Sequence, residues 1–390
     1  GKSGSVADRK TYVASPDERA ARDYPVTFKW PVPVYPLPDE LLSSWLVRAA
    51  LAHGCEPLSM TSSLWPGWRA WTMDIDRRLD GNRLASLSMS SGLTTDEIGG
   101  MTLVPHLEGV VFPNGQAPAL LPWVIAMGSR NRQHKMGVQC CPSCLHASEP
   151  YFRWTWRLAW HTCCPLHQSE LIANCPSCHT PIQFHRICAQ APHIGICFSC
   201  GFDLRSLVPP QASSHQLAFQ DMATRIFERG LVDWGSNSMS SVGWFALTKM
   251  LLNLLRRSVA RQTNSHSHMI DFVQSAGIDL ASIQQPPTRF TIELLPADQR
   301  APLFAAVGHM LSLGSDELMA LLKRSGVSRN TLIDRDSSCP EDLMAWLHQL
   351  PETPAKRKNL CPRAPSQRPK SKAVVRYEWA RLLRRQGLLP

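Results

Sequence analysis

Between positions 141 and 200 the chain sets out four pairs of metal-ligand residues, each with a two-residue gap: Cys141-x-x-Cys144, Cys164-x-x-His167, Cys175-x-x-Cys178 and Cys197-x-x-Cys200. Thiolate and imidazole are the donors zinc takes, and this gap lets both side chains of a knuckle converge on one ion. Proline inside the CPxC turns, at Pro142 and Pro176, limits the freedom lost when the knuckle orders. The chain has 13 cysteines, most of them in this block, which reads as metal binding in a reducing compartment and not as a disulfide framework. Two structural zinc ions per chain are expected. The similar lengths linking pairs one and two, and pairs three and four, favour sequential grouping. That gives one site of Cys141, Cys144, Cys164 and His167 and one of Cys175, Cys178, Cys197 and Cys200. A cross-braced grouping of pairs one with three and two with four uses the same ligands.

The two Cys-Cys doublets are assigned by the same gap. Cys140 and Cys163 would each lengthen it by one, so they are read as packing residues. Cys55, Cys188, Cys339 and Cys361 have no paired partner nearby, and His161, His179, His185 and His193 read as surface or locally bonded. A catalytic zinc keeps one position open beside an acid or base, whereas both sets here are full. The chain has no HExxH, no deaminase-type HxE with PCxxC, no P-loop and no GxGxxG. The CPSC pairs lack a βαβ setting for redox work. The expectation is structural metal and no enzyme.

Charge is concentrated at one end. Lys356, Arg357, Lys358, Arg363, Arg368, Lys370, Lys372, Arg376, Arg381, Arg384 and Arg385 face a single acidic residue, Glu378, so this window carries the chain's whole net charge of +10. Pro362, Pro365 and Pro369 interrupt it, and it reads as an arm for a phosphate backbone. No apolar run approaches the roughly 18 residues a membrane span needs.

Around the metal block the pattern is helical. After a lead-in over 1–36, rich in proline near its end, "DELLSSWLVRAALAHG" sets Leu41, Leu42, Trp45, Leu46, Ala49 and Ala50 on one stripe, with Asp39 and Glu40 in the first turn and Gly54 as the stop. "RLASLSMSSGLTTDEIGG" then reads as two helices about Gly92, with Thr94 and Glu97 at capping-box spacing. Within the block, Phe152, Trp154, Trp156, Leu158 and Trp160 alternate as in a strand, with Arg153 and Arg157 between them. Beyond 206 come helices in "HQLAFQDMATRIFERG" and "SMSSVGWFALTKMLLNLLRR". A second helix-turn-helix-like string follows in "APLFAAVGHMLSLGSDELMALLKRSGVSRNTL", and a short helix lies near Glu341. The fold expected is mainly α, with helix-turn-helix domains flanking two tandem zinc-ribbon or knuckle-like α+β modules. Its segments are 1–36, 37–139 (N-terminal helical), 140–205 (zinc), 206–350 (C-terminal helical) and 351–390 (basic tail). Arg329 and Asn330 of "SRNTL" are the candidate base-reading residues.

Two strings together, "PLPDELLSSWLVRAALAHG" and "CPSC…YFRWTWRLAWHTCCPLHQSELIANCPSCH", resemble the TniQ family of transposition target-selection proteins. The resemblance rests on Leu41, Leu42, Trp45, Leu46 and Arg48, then on Trp156, Arg157 and Leu158 among the ligand pairs. It implies a non-enzymatic adaptor that joins a target-recognition complex to the AAA+ transposition regulator. In one branch that complex is a CRISPR effector (Cascade-type) with guide RNA and the adaptor is often a homodimer. In the other, TnsD-like branch the protein reads attachment-site DNA itself. A length of 390 residues fits the first branch, while the basic tail departs from its compact forms and raises direct contact with target DNA. A bacterial cytoplasmic protein, acting at the nucleoid and without membrane contact, is expected.

Overall fold

Asp39 and Glu40 lie outside the first helix, not in its first turn. The computed structural model describes residues 29–113, 115, 121–127, 138–261, 267–284, 291–333, 339–352 and 371–385. Its first helix, α1 (Leu42–Ala52), begins after an Asp39 held at φ 59°. The expected one-sided stripe is also too narrow: every residue from Leu42 to Ala50 is buried. Leu42, Trp45 and Leu46 pack with Trp65, Ile75 and Leu87, while Leu41 and Val47 belong to the larger core. A helix buried all round must satisfy its polar side chains internally. Glu40 accepts from the Ser44 hydroxyl (2.9 Å), the Leu37 amide (3.0 Å) and Arg48 (2.5 Å). Burial still pushes its carboxyl up to about 7, against the opposing pull of Arg48. Arg48 also pairs with Glu149, beyond the next helices.

Helix α2 (Pro57–Leu64) starts on its proline, where the missing N–H is harmless. Helices α3 (Gly81–Ser91) and α4 (Thr95–Gly100) meet at Gly92, whose φ of 80° needs glycine. The expected capping box is present, with Thr94 and Glu97 bonding each other's backbone. A one-turn α5 (Val104–Leu107) completes this part.

The aromatic run 152–160 is not a strand. Burial alternates only as far as Trp156; Arg157, Leu158, Ala159 and Trp160 are then all buried. Trp154–Arg157 instead makes a 3-10 turn between single bridges, Glu40 to Arg153 and Leu158 to Val124. The turn brings Arg157, read as lying between the aromatics of a strand, into the interior at 1% exposure. Its guanidinium donates to Asp74 and Asp76, both at 2.8 Å, and to the Ile125 carbonyl at 2.8 Å. Asp76 in turn accepts from the Ser43 amide (2.6 Å) and hydroxyl (2.8 Å), inside α1. Burial, assisted by Asp74, holds the Asp76 carboxyl up near 6 in spite of Arg157.

The Cys-rich block carries one short antiparallel pair, β1 (Cys163–Cys164) with β2 (Ser169–Glu170). From there the chain is helical apart from a hairpin. Helix α6 (Ser214–Arg229) leads into β3 (Leu231–Trp234) and β4 (Asn237–Ser240), a hairpin the sequence reading missed by starting the next helix too early. Helix α7 (Ser241–Ala260) follows, then α8 (His268–Ser275), α9 (Ala297–Ser312), α10 (Ser315–Arg324), α11 (Arg329–Leu332) and α12 (Glu341–Leu347). Helices α6 and α9 approach closely at Gly308, where a Cβ would lie 2.9 Å from that of Phe219. Gln220 of α6 binds the Cys block: its side-chain oxygen accepts from the amides of Thr162 and Cys163, and its NH2 donates to the Cys163 carbonyl.

The chain divides into two compact units, 1–351 and 352–390. In the second, residues 372–385 form a helix, α13 (Lys372–Arg385), where the sequence reading gave only a proline-broken arm. The last proline before it is Pro369, so nothing interrupts the segment. The described residues thus hold thirteen α-helices and few strands, a mainly helical fold. None of those helices is long and apolar enough to cross a membrane.

Arg157→Ala should destabilise the first unit by about 3–5 kcal/mol, because Asp76 would keep a buried charge without its counter-ion. Thermal and denaturant unfolding of the variant measure this, and near wild-type stability would remove the network from the account of the fold.

Candidate metal centre

Two ligand clusters form, and their grouping is sequential. Cys141, Cys144, Cys164 and His167 gather in one place and Cys175, Cys178, Cys197 and Cys200 in another, each with its donor atoms within 4.8 Å of one another. In the first, His167 Nδ1 lies 3.5, 3.4 and 3.5 Å from the sulfurs of Cys141, Cys144 and Cys164. The Cys144 and Cys164 sulfurs are 3.6 Å apart. In the second, Cys175 and Cys200 sulfurs are 3.6 Å apart and those of Cys178 and Cys197 3.7 Å. Metal–sulfur bonds of about 2.3 Å and metal–nitrogen bonds of about 2.0 Å at tetrahedral angles imply sulfurs about 3.8 Å apart and sulfur–nitrogen separations of about 3.5 Å. The donor sets fit a four-coordinate ion, and both clusters could hold a metal.

The backbone explains why the two-residue gap works. In the second cluster, the Cys175 amide donates to the Thr180 carbonyl and the His179 amide to the Cys175 carbonyl, both at 2.9 Å. Cys197 repeats this with Phe202 (2.8 Å) and Gly201 (2.9 Å). The residue after each knuckle turns left-handed, His179 at φ 56° and Gly201 at 77°. Gln168, after His167, does the same at 50°. Only Gly201 announces this in sequence, since glycine adopts the conformation freely. Hydrogen bonding to Thr180 lowers the Cys178 thiol, while burial raises that of Cys175 in the same cluster.

Cys140 and Cys163 lie outside both clusters. Cys140 pairs through its backbone with Ile172 and is fully buried. The Cys163 thiol donates to Gln220 Oε1 at 3.3 Å, and burial pushes its pKa up to about 12. Among the histidines, His161 is buried and driven down to about 3 by desolvation. His185 stacks on Trp71 with ring centroids 5.0 Å apart, and burial lowers it to about 4. His193 approaches Asp203 at 3.5 Å.

The candidate nucleic-acid residues fall in different units. Arg329 and Asn330 occupy α11, a single turn; the Arg329 amide donates to the Pro351 carbonyl and its guanidinium to His348 Nδ1. Lys356, Arg357, Lys358, Arg363, Arg368 and Lys370 lie outside the described residues. Lys372, Arg376, Arg381, Arg384 and Arg385 belong to α13, with Arg376 and Arg381 exposed.

Cys141→Ser and Cys175→Ser should each lower the bound metal from two ions per chain to one. Cys140→Ser and Cys163→Ser should leave it at two. Elemental analysis of the purified proteins reads this directly, and metal loss from Cys140→Ser would shift the ligand assignment.

A search of curated proteins returns no match. Among protein-family models, TniQ matches residues 31–171. The matched stretch opens just ahead of α1, contains Arg48, the Asp74–Asp76–Arg157 network and the whole first cluster, and ends before the second. The N-terminal part of this chain is therefore a TniQ domain, which marks a transposition-associated target-selection protein.

Proposed function

We propose that this chain is a non-enzymatic adaptor in DNA transposition, linking a target-recognition complex, a CRISPR effector with its guide RNA, to the AAA+ transposition regulator. The observation that carries the reading is the TniQ match over 31–171. The chemistry of the clusters supports it. Four protein donors around each centre leave no position for a substrate or water, so an ion there holds loops in place. Zinc is the ion proposed for both, on the thiolate-rich sets and their tetrahedral spacing. Such clamps make rigid surfaces for protein contact.

Two features weigh against direct base reading by the helical units. The second helix of the N-terminal pair, α4, is six residues long and exposes Asp96 and Glu97, which repel a phosphate backbone. The turn holding Arg329 and Asn330 is one helical turn, with the Arg329 guanidinium engaged by His348. Attraction to target DNA is assigned instead to the basic segment beyond 355, since the rest of the chain balances to zero.

Purified with its candidate partners, the protein should retain the AAA+ regulator and a guide-RNA-loaded effector. Sequence-specific binding of a short duplex by the protein alone would favour the TnsD-like reading instead. Deleting 356–390 should weaken nonspecific DNA binding and flatten its dependence on salt; an unchanged salt titration would take DNA attraction away from the tail.

A further inference from the structure

The β3–β4 hairpin has one closed edge and one open edge. Its register pairs Leu231 with Ser240, Val232 with Met239, Asp233 with Ser238 and Trp234 with Asn237. Just before the pairing begins, the Gly230 carbonyl accepts from the Ser241 amide at 2.9 Å. Hydrogen-bonded and non-bonded pairs alternate in an antiparallel ladder. Val232 and Trp234 therefore bond inward to β4, while Leu231 and Asp233 direct their N–H and C=O groups outward. On the β4 side the matching outward group is used: the Ser240 amide donates to Asp342 of α12 at 2.7 Å. On the β3 side, among the described residues, no backbone hydrogen bond joins Leu231–Trp234 to anything but β4.

That open edge borders a cleft of about 630 Å³. Met222 and Ile226 of α6, Trp234 and Leu311 give it an apolar lining, and Arg225 and Arg229 stand on one wall. Trp234 is fixed in place by donating from Nε1 to the Leu311 carbonyl at 2.9 Å. Beside the cleft Leu231 is half exposed, at 51%. Arg225 has an exposed partner one turn away, Asp221 at 2.7 Å, a pair weak enough to exchange for another carboxylate.

We propose that β3 is a docking edge for an extended segment of a protein partner, bearing apolar and acidic side chains, which adds as a third strand. The main-chain groups of Leu231 and Asp233 ask for a polypeptide backbone, because only a strand presents donors and acceptors at this spacing. The apolar lining takes alternate side chains of that segment, and the two arginines select carboxylates among the rest. Nucleic acid fits poorly, since Asp233 stands beside the edge it would occupy. A strand edge this short and bordered by a cleft does not invite indiscriminate pairing, yet it can hold one segment of fitting side chains.

The inference rests on the adaptor reading, with the AAA+ regulator as the partner that supplies the segment. Binding of the purified regulator to the full chain is measured together with amide hydrogen exchange. On complex formation the Leu231 and Asp233 amides should become slow, while those of Val232 and Trp234, already bonded to β4, change little. Asp233→Pro removes one outward N–H and no ladder bond, and should weaken binding about tenfold. Asp233→Ala keeps that N–H and should bind as wild type. Arg225→Glu, on the exposed wall, should weaken binding several-fold and provides a test even if the proline variant misfolds. Wild-type binding with fast Leu231 and Asp233 amides and an unaffected Arg225→Glu would overturn the docking edge and leave the adaptor reading standing. No binding of the regulator by the wild type would overturn both.

Discussion

The buried guanidinium of Arg157 is the constraint around which the N-terminal half is arranged. Removing a charge from water costs several kcal/mol, and the cost is offset here only because two carboxylates and a carbonyl converge on one side chain. Asp74 and Asp76 come from the loop after α2, the carbonyl from Ile125, and Ser43 completes Asp76 from within α1. Four chain segments must therefore be in place together. A purely apolar core would accept small slips among them, whereas this network accepts none without stranding a charge.

The two ligand clusters gather further loops of the same unit. The Cys block shares the main core through Leu145, Phe152, Trp156, Trp160, Leu171 and Phe184, and the ligand pairs tie together the loops between these anchors. Each cluster closes its loop, and Gln220 and Arg300 then attach the block to the helices behind it. Arg300 donates to the Ala159 carbonyl and to Gln139, at 2.6 Å for the latter, and desolvation lowers it to about 10. The aromatic run fills the space between, with Trp123 and Trp160 packed against Phe245 of α7. The ordering of the loops and the joining of the helical parts are thus one problem with one solution.

This construction is in keeping with the adaptor role proposed above. In the cysteine block the ligand cysteines face each other in closed sets, Cys140 and Cys163 are buried, and Cys188 is exposed. The surfaces left over are distinct in chemistry. One is the acidic end of α4, another the apolar cleft beside β3, and α13 exposes Trp379 and Tyr377 among its basic residues.

Local chemistry in the sequence determined much of this. The two-residue gap picked out Cys141 and Cys164 over Cys140 and Cys163, because a knuckle's reach depends on a few adjacent bonds. Thr94 and Glu97 announced their capping box for the same reason, and helical periodicity placed α7 and α9. Tertiary structure decided the rest. Whether the ligand pairs grouped sequentially depended on how whole loops fold back, and nothing within a pair records that. Arg157 looked like one of two arginines along a strand, and its burial followed only once a 3-10 turn aimed it at Asp74 and Asp76, about 80 residues earlier. The open edge of β3 is of the same kind. Four residues of alternating burial say that a strand can form, but which edge stays unpaired is settled by where Asp342 arrives from 102 residues away.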